Sequence, residues 1–250
     1  MFLEDFSAPA QRGAVEIGHG RLDRWANFRT DGATISFVNT RSEFTDPELR
    51  IDVDNKPIDY AMKTAIGSNP VSHPDWGSDP LWYAAYPGWE NGLPAKTLSA
   101  PCAVQADLLT PLGLGGSFMS VHRLNEKTGD RNSVAGIEIE PSGKMHLVTR
   151  DGYGGNHLAY LNYALMKEGR YNRLRLEFSE DGTVLPFINN ELAYLDDSER
   201  LNVGIDRDYR PGFVDAHPGF QISVGPSGNP VPKPGTLLYN ANFRIERGLM

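Results

Sequence analysis

The sequence predicts an all-β protein, an antiparallel β-sandwich of the jelly-roll type, and three observations carry that prediction. Residues 171–178 alternate strictly: Leu174, Leu176 and Phe178 interleave with Arg173, Arg175 and Glu177, the period-2 pattern of a strand with one buried face. Two hairpins are spelled out by turn residues. One turns at Ser179-Glu180-Asp181-Gly182 before residues 183–189, and the other turns at Pro141-Ser142-Gly143 between residues 134–140 and 144–150. The 26 glycines and 18 prolines supply the many turns that short strands need.

Composition bounds the rest. A chain of 250 residues, 40% apolar and 22% charged, can bury a large core and is not a disordered polymer. Neither an internal repeat nor a linker is visible, so one sandwich domain over 1–250 is expected. The only cysteine is Cys102, which rules out an internal disulfide. A net charge of −8 without a Lys/Arg run argues against nucleic acid. No apolar run approaches the roughly 20 residues of a membrane span, so no membrane insertion is expected. The first residues, MFLEDFSAP, have neither a basic nor an apolar signal region, and no signal peptide is expected in this chain. The compartment stays open between cytoplasm, virion and secretion after signal removal, and an oligomer or assembly partner is left open.

In chain order, residues 2–6 read as a short edge strand, and residues 33–39 (ATISFVN) and 49–53 (LRIDV) as further strands. Asp52, Asp54 and Asp59 cluster, but their spacing lacks the glycine and closing glutamate of an EF-hand loop. A structural Ca2+ is therefore the one cofactor the sequence leaves room for. Residues 66–101 read as a long Trp/Tyr/Pro-rich loop carrying Trp76, Trp82, Tyr83, Tyr86 and Trp89. Such rings either stack on the C–H faces of sugars or plug the end of a sandwich. Residues 103–109, 117–124, 219–224 and 237–247 follow as strands, while 160–166 fits either a strand or a helical turn.

Strand parity sorts the polar residues. With Ile137 and Ile139 inward, Glu138 and Glu140 point out. With Met145 and Leu147 inward, Lys144, His146 and Arg150 point out; with Met119 and Val121 inward, Ser120 and His122 do. Arg173, Arg175, Glu177, Gln221 and Ser223 join this outward set. A solvated face of cross-strand ion pairs, each contributing tenths of a kcal/mol, accounts for such residues as well as a binding face does.

The order of a short polar lead, a strand, an acidic-Gly turn and a strand ending in Asn189-Asn190-Glu191 resembles the back-sheet hairpin of concanavalin A-like lectin/glucanase sandwiches. The resemblance spans residues 100–247 well and the first hundred in outline. It implies a protein that binds a polysaccharide or glycoconjugate on a polar sheet face, with Trp76, Trp82, Tyr83, Tyr86, Trp89, Tyr171 and Arg173 as ligand-binding residues. An alternative is a glycoside hydrolase or polysaccharide lyase, with His122 or His146 as base, Glu138 and Glu140 as carboxylates, and Arg150 or Arg173 as partner of a uronate. Sandwich hydrolases of this kind carry Glu-x-Asp-x-x-Glu or Glu-x-Asp-x-Glu; the matching stretch here, Gly136-Ile-Glu-Ile-Glu-Pro141, has no central Asp. The lyase motifs Gln-Ile-His and Tyr-Phe-Lys-Ala-Gly-x-Tyr are absent too, with Ser120-Val121-His122 and Lys167-Glu-Gly-Arg-Tyr171 as their nearest echoes. A third reading is a structural or attachment component of a virion or cell-surface assembly.

Overall fold

The computed structural model describes the backbone of residues 2–4, 14–15, 21–22, 25–31, 33–66, 81–87, 101–109, 116–124, 131–139, 144–150, 156–181, 183–201, 216–224 and 235–247. Side chains are described at 36–65, 101–109, 135–138, 144–149, 158–181, 183–200, 235–244 and 246. The strands are β1 (Phe2–Glu4), β2 (Ala14–Val15), β3 (Arg21–Leu22), β4 (Trp25–Asp31), β5 (Ala33–Asn39), β6 (Tyr60–Ile66), β7 (Leu81–Pro87), β8 (Cys102–Leu109) and β9 (Gly116–Leu124). They continue as β10 (Arg131–Ile139), β11 (Met145–Arg150), β12 (Asn156–Leu161), β13 (Asn172–Phe178), β14 (Val184–Ile188), β15 (Glu191–Leu192), β16 (Ala216–Val224) and β17 (Leu237–Arg247). Among the described residues one sheet of nine strands runs β15-β14-β13-β8-β17-β6-β5-β2, with β1 beside β17. The second, of eight, runs β12-β11-β10-β9-β16-β7-β4-β3. Pairing is antiparallel throughout. The expected antiparallel β-sandwich is what forms.

The alternation seen in the sequence sets the core. In the first sheet Leu174, Leu176 and Phe178 stand opposite Ala106, Val104 and Cys102 of β8 and opposite Ile188, Pro186 and Val184 of β14. Leu174, Leu176, Phe178, Val104, Cys102, Val184 and Ile188 are all buried. In the second sheet Ile137, Leu147 and Ala159 align across β10, β11 and β12, with Met145 against Leu161 beside them. All five are buried too. Each large apolar side chain removed from water this way stabilises the fold by about 1.5–3 kcal/mol.

The first sheet carries a second layer on its outer face. Residues 40–59 leave β5, fold over that face and return into β6. Asn39 caps the helix α1 (Thr40–Glu43) by accepting from the Arg41 N–H at 2.9 Å. Asp46 caps a 3-10 turn, Pro47–Arg50, in the same way, with Pro47 at its first position. A tight turn follows: Asp52 Oδ1 accepts from the N–H groups of Asp54 and Lys56, Asn55 adopts φ 60°, and Ile51 bridges Pro57. Ile58, Ala61, Leu109, Tyr171, Tyr239 and Ala241 form a small apolar cluster there, with Val38, Phe44 and Leu49 packed against it. The Phe44 and Tyr239 rings meet edge to face at 4.7 Å.

Two expectations change. Residues 49–53 do not form a strand, because the Asp46-Pro47 cap starts a 3-10 turn that leaves only the Ile51 bridge. The stretch 66–101 is not loop alone: β7 lies inside it, between β16 and β4. Its sequence LWYAAYP is apolar or aromatic at nearly every position, so no period-2 signal marks it.

Candidate functional site

Three residues on neighbouring strands of the second sheet stand in one row: Glu138 on β10 pairs with His146 on β11, and His146 pairs with Tyr160 on β12. Their neighbours along each strand, Ile137, Leu147 and Ala159, face the core, so the row belongs to the opposite face. His146 Nε2 lies 3.6 Å from Glu138 Oε2, within ion-pair range though too long for a hydrogen bond. The His146 and Tyr160 rings are edge to face at 6.5 Å, and Lys144 Nζ sits 5.6 Å from the Tyr160 ring centroid.

Exposure is lowest in the middle of this row. Tyr160, at the sheet edge, is 39% exposed and His146 only 7%, while the Glu138 side chain is part-exposed at 34%. The arrangement offers a flat aromatic face beside a carboxylate, an imidazole and an ammonium. A ring for stacking together with hydrogen-bonding groups is the combination that a polyhydroxylated ligand requires. The Tyr160 backbone is fixed in turn: its N–H donates to Glu199 Oε2 and its carbonyl accepts from Leu195 N–H, each at 2.9 Å.

The other expected site residues divide by sheet. His122 lies on β9 of the same sheet, its backbone opposite Ser133 of β10 and His217 of β16. Arg150 ends β11 opposite Asn156, four residues and about 13 Å along the strand from His146. Trp82, Tyr83 and Tyr86 are positions of β7, where Trp82 pairs with Ser223 and Tyr83 with Ile222. Adjacent strand positions belong to opposite faces, so positions 82 and 83 cannot both serve one face. Glu140, Trp76 and Trp89 lie outside the described residues.

Tyr171 and Arg173 need correcting. Arg173 lies on β13 of the first sheet and Tyr171 just before that strand, both on the face that residues 40–59 cover. Tyr171 is 2% exposed, and burial pushes its hydroxyl far above the ordinary tyrosine range. Arg173 is 5% exposed, with every guanidinium nitrogen engaged: Nε and Nη2 on Asp107 at 2.8 and 3.2 Å, Nη1 on Asp54 at 2.6 Å, and Nη2 also on Asp52 at 3.2 Å. Neither side chain is open to a ligand. The acidic residues that suggested Ca2+ are held by guanidinium groups: Asp52 and Asp54 by Arg173, Asp59 by Arg41 at 3.0 Å.

Strand parity places Lys144 and His146 outward but does not single out Tyr160. Its strand, NHLAYL, carries Leu158 and Tyr160 on the exposed face and Ala159 and Leu161 on the core face, so polarity does not separate the two. Only the register with β11 reveals that Tyr160 sits beside His146.

The fold is that of the concanavalin A-like jelly-roll sandwiches. No protein-family model matches the sequence, and no curated protein matches it. Solved structures do match. A variant of SCLam, a non-specific endo-β-1,3(4)-glucanase from family GH16 with an oligosaccharide at its active site, aligns at 11% identity and TM-score 0.54, over 99% of this chain and 93% of that one. A structure described with endo-acting O-glycanases that members of the human gut microbiota express to initiate mucin breakdown aligns at 8% and TM-score 0.53, over 100% and 99%. The cellulose-induced protein Cip1 aligns at 11% and TM-score 0.51, over 99% and 98%. At these identities the likeness is one of fold.

Proposed function

We propose that this protein recognises a glycan on the outer face of its second sheet, a polysaccharide or glycoconjugate lying across β10, β11 and β12. The observation that carries the reading is the in-register row Glu138–His146–Tyr160, with Lys144 beside the exposed ring. The tyrosine supplies a stacking plane, and the carboxylate and imidazole supply fixed polar partners for hydroxyls. Support comes also from the fold neighbours, since SCLam is a glucanase and another is described with mucin-degrading O-glycanases. A glycan array followed by calorimetry tests it. Binding to at least one class of polysaccharide is expected, weakened about tenfold or more by Tyr160→Ala. An array with no signal above background overturns it.

A second reading is favoured by one contact. The Glu138 carboxylate and the His146 imidazole, 3.6 Å apart, place two groups able to carry a proton side by side on this face. On that reading the face belongs to a polysaccharide lyase or glycoside hydrolase, with His146 as the base. Incubation with acidic and neutral polysaccharides, read by unsaturated-uronate absorbance and a reducing-end assay, decides between the two. Product that disappears in His146→Gln establishes the enzyme, and flat traces leave the binding protein.

A further inference from the structure

A pocket lies in the layer that covers the first sheet, apart from the row on the second. It has a volume of about 300 Å³ and is lined by Arg41, Pro47, Arg50, Ile51, Pro57, Ile58 and Asp59. Its walls are the 3-10 turn Pro47–Arg50 and the turn that Ile51 and Pro57 close, tied together by the Ile58 N–H donating to the Arg50 carbonyl at 2.7 Å. Its lining is mostly apolar, with Arg41, Arg50 and Asp59 as the charged members.

Those charges do not balance. Arg41 spends its Nε on Asp59 at 3.0 Å, which neutralises one pair. Arg50 is different: among the described residues no carboxylate pairs with it, and its Nε is buried without an acceptor. The carboxylates of this layer are already committed. Asp46 caps the 3-10 turn, Glu48 pairs with Arg170 at 2.8 Å, Asp52 and Asp54 hold Arg173, Asp59 holds Arg41, and Glu43 holds Lys63 and Tyr239. A buried guanidinium nitrogen without a partner costs free energy, and a ligand that supplies an acceptor recovers it.

We propose that this pocket binds a small carboxylate, a monoanion whose carboxyl group meets the Arg50 guanidinium and whose compact body rests on Pro47, Ile51, Pro57 and Ile58. The planar fork of arginine matches a carboxylate in two parallel hydrogen bonds, and one unneutralised positive charge matches one negative charge. The volume suits a single sugar acid or an acylated amino acid, both of which carry this chemistry. The site lies on the first sheet's outer layer, so it stands or falls independently of the glycan face on the second sheet.

The test is titration of the full chain by NMR, following backbone amides, with D-glucuronate, its methyl ester, N-acetyl-L-leucine, its methyl ester and inorganic phosphate as probes. One of the two acids is expected to give saturable shifts at residues 41, 50, 51, 58 and 59, with a Kd on the order of 1 mM. Which acid does so identifies the body that the pocket takes. The matching ester is expected to bind at least about tenfold more weakly, a contrast that needs no variant. Arg50→Gln is expected to weaken the acid about tenfold as well, with Arg50→Lys intermediate because it keeps the charge and loses the fork. Unchanged thermal unfolding of Arg50→Gln shows that the loss is local. The proposal is overturned if neither acid shifts these amides, if acid and ester bind alike, if phosphate binds as well as the better acid, or if Arg50→Gln leaves the affinity unchanged.

Discussion

Arg173 and Asp107 face each other in the β13–β8 register, and the guanidinium holds both oxygens of that carboxylate, at 2.8 Å through Nε and 3.2 Å through Nη2. Asp107 is 0% exposed and takes a third bond from Asn242 Nδ2 at 2.7 Å. From the same guanidinium, bonds run out to Asp52 and Asp54 in the covering layer. One side chain thus pins residues 40–59 to the sheet beneath them. Burial works against its charge, but the hydrogen bonds and charges of Asp107 and Asp54 more than offset that and hold its pKa above the ordinary arginine value.

Removing that side chain strands Asp107 in a dry site. Arg173→Met is expected to destabilise the fold by about 3–5 kcal/mol, the cost of an unpaired buried charge. Arg173→Met combined with Asp107→Leu is expected to recover part of the loss, because the stranded carboxylate is gone. Urea unfolding of parent, single and double variants measures both. A double variant less stable than the single would show that the pair itself, and not the stranded charge, carries the energy.

Acid weakens the same layer. Burial alone would raise the Glu43 pKa, but the hydrogen bonds from Lys63 and Tyr239 and the charge of Lys63 outweigh it and hold the carboxyl below its ordinary 4.5. Asp54 is held below 3.8 by its hydrogen bond from Arg173, against a smaller opposing effect of burial. A depressed folded-state pKa gives stability that is present above the unfolded value and lost as pH falls through the folded one. Glu43→Gln is therefore expected to cost about 1–2 kcal/mol at pH 7, with the gap from the parent closing as pH falls below 4.5. Denaturant melts at neutral and acid pH check the convergence, and a gap of constant size would remove Glu43 from the acid response.

The 171–189 hairpin was legible because its apolar residues alternate and Ser179-Glu180-Asp181 precedes a strand of similar pattern. In the structure Ser179 N–H donates to Thr183 O at 3.0 Å, and Asp181 Oδ1 accepts from Thr183 N–H at 2.9 Å. Parity also put Arg173 and Arg175 on the face away from Leu174 and Leu176, which holds. It could not show that the face is covered, because the cover comes from residues more than a hundred positions earlier, whose own signals are local caps and turns. The candidate site has the same history. The outward placement of Glu138 and His146 followed from their neighbours, while their pairing follows from the register of β10 with β11. Tyr160 and β7 stayed hidden because apolar residues occupy both faces of those strands.

Alkali is expected to act through buried tyrosines. Tyr194 donates its hydroxyl to the Val184 carbonyl at 2.6 Å, and burial pushes its pKa up to about 12 against a smaller opposing effect of the Arg200 charge. A raised folded-state pKa means stability that is complete below the unfolded value, 10.0, and lost as pH rises through the folded one. Tyr194→Phe is expected to cost about 1–2 kcal/mol at neutral pH, since it leaves a buried carbonyl without its donor. It is also expected to flatten the decline between about pH 10 and 12. Urea midpoints across that range test it, and a variant that declines as steeply as the parent would assign the response to Tyr171 and Tyr239, whose hydroxyls burial also raises.

The end of the same hairpin rests on Asn189, which adopts φ 53°. Its Oδ1 accepts from the Arg173 N–H at 2.9 Å, and its Nδ2 donates to the Leu165 carbonyl at 2.7 Å and to Asn172 Oδ1 at 3.0 Å. Asn172 is itself clamped to the crossing before β13, accepting from Lys167 N–H at 2.7 Å and donating to the Lys167 and Arg170 carbonyls at 2.9 and 3.1 Å. Two demands meet at this position, a left-handed backbone and a side-chain amide that both donates and accepts. Glycine meets the first and alanine meets neither, since a Cβ in that region costs roughly 1–2 kcal/mol. The expected order of stability is Asn189, then Asn189→Gly, then Asn189→Ala, with Gly about 2 kcal/mol below the parent and Ala about 1 kcal/mol lower again. Asn189→Asp keeps the acceptor for Arg173 but turns a carboxylate toward the Leu165 carbonyl and Asn172 Oδ1, so it is expected to lose at least as much as glycine. Thermal unfolding of the three variants decides. If alanine equals glycine, the backbone conformation carries none of the cost and the amide hydrogen bonds carry all of it.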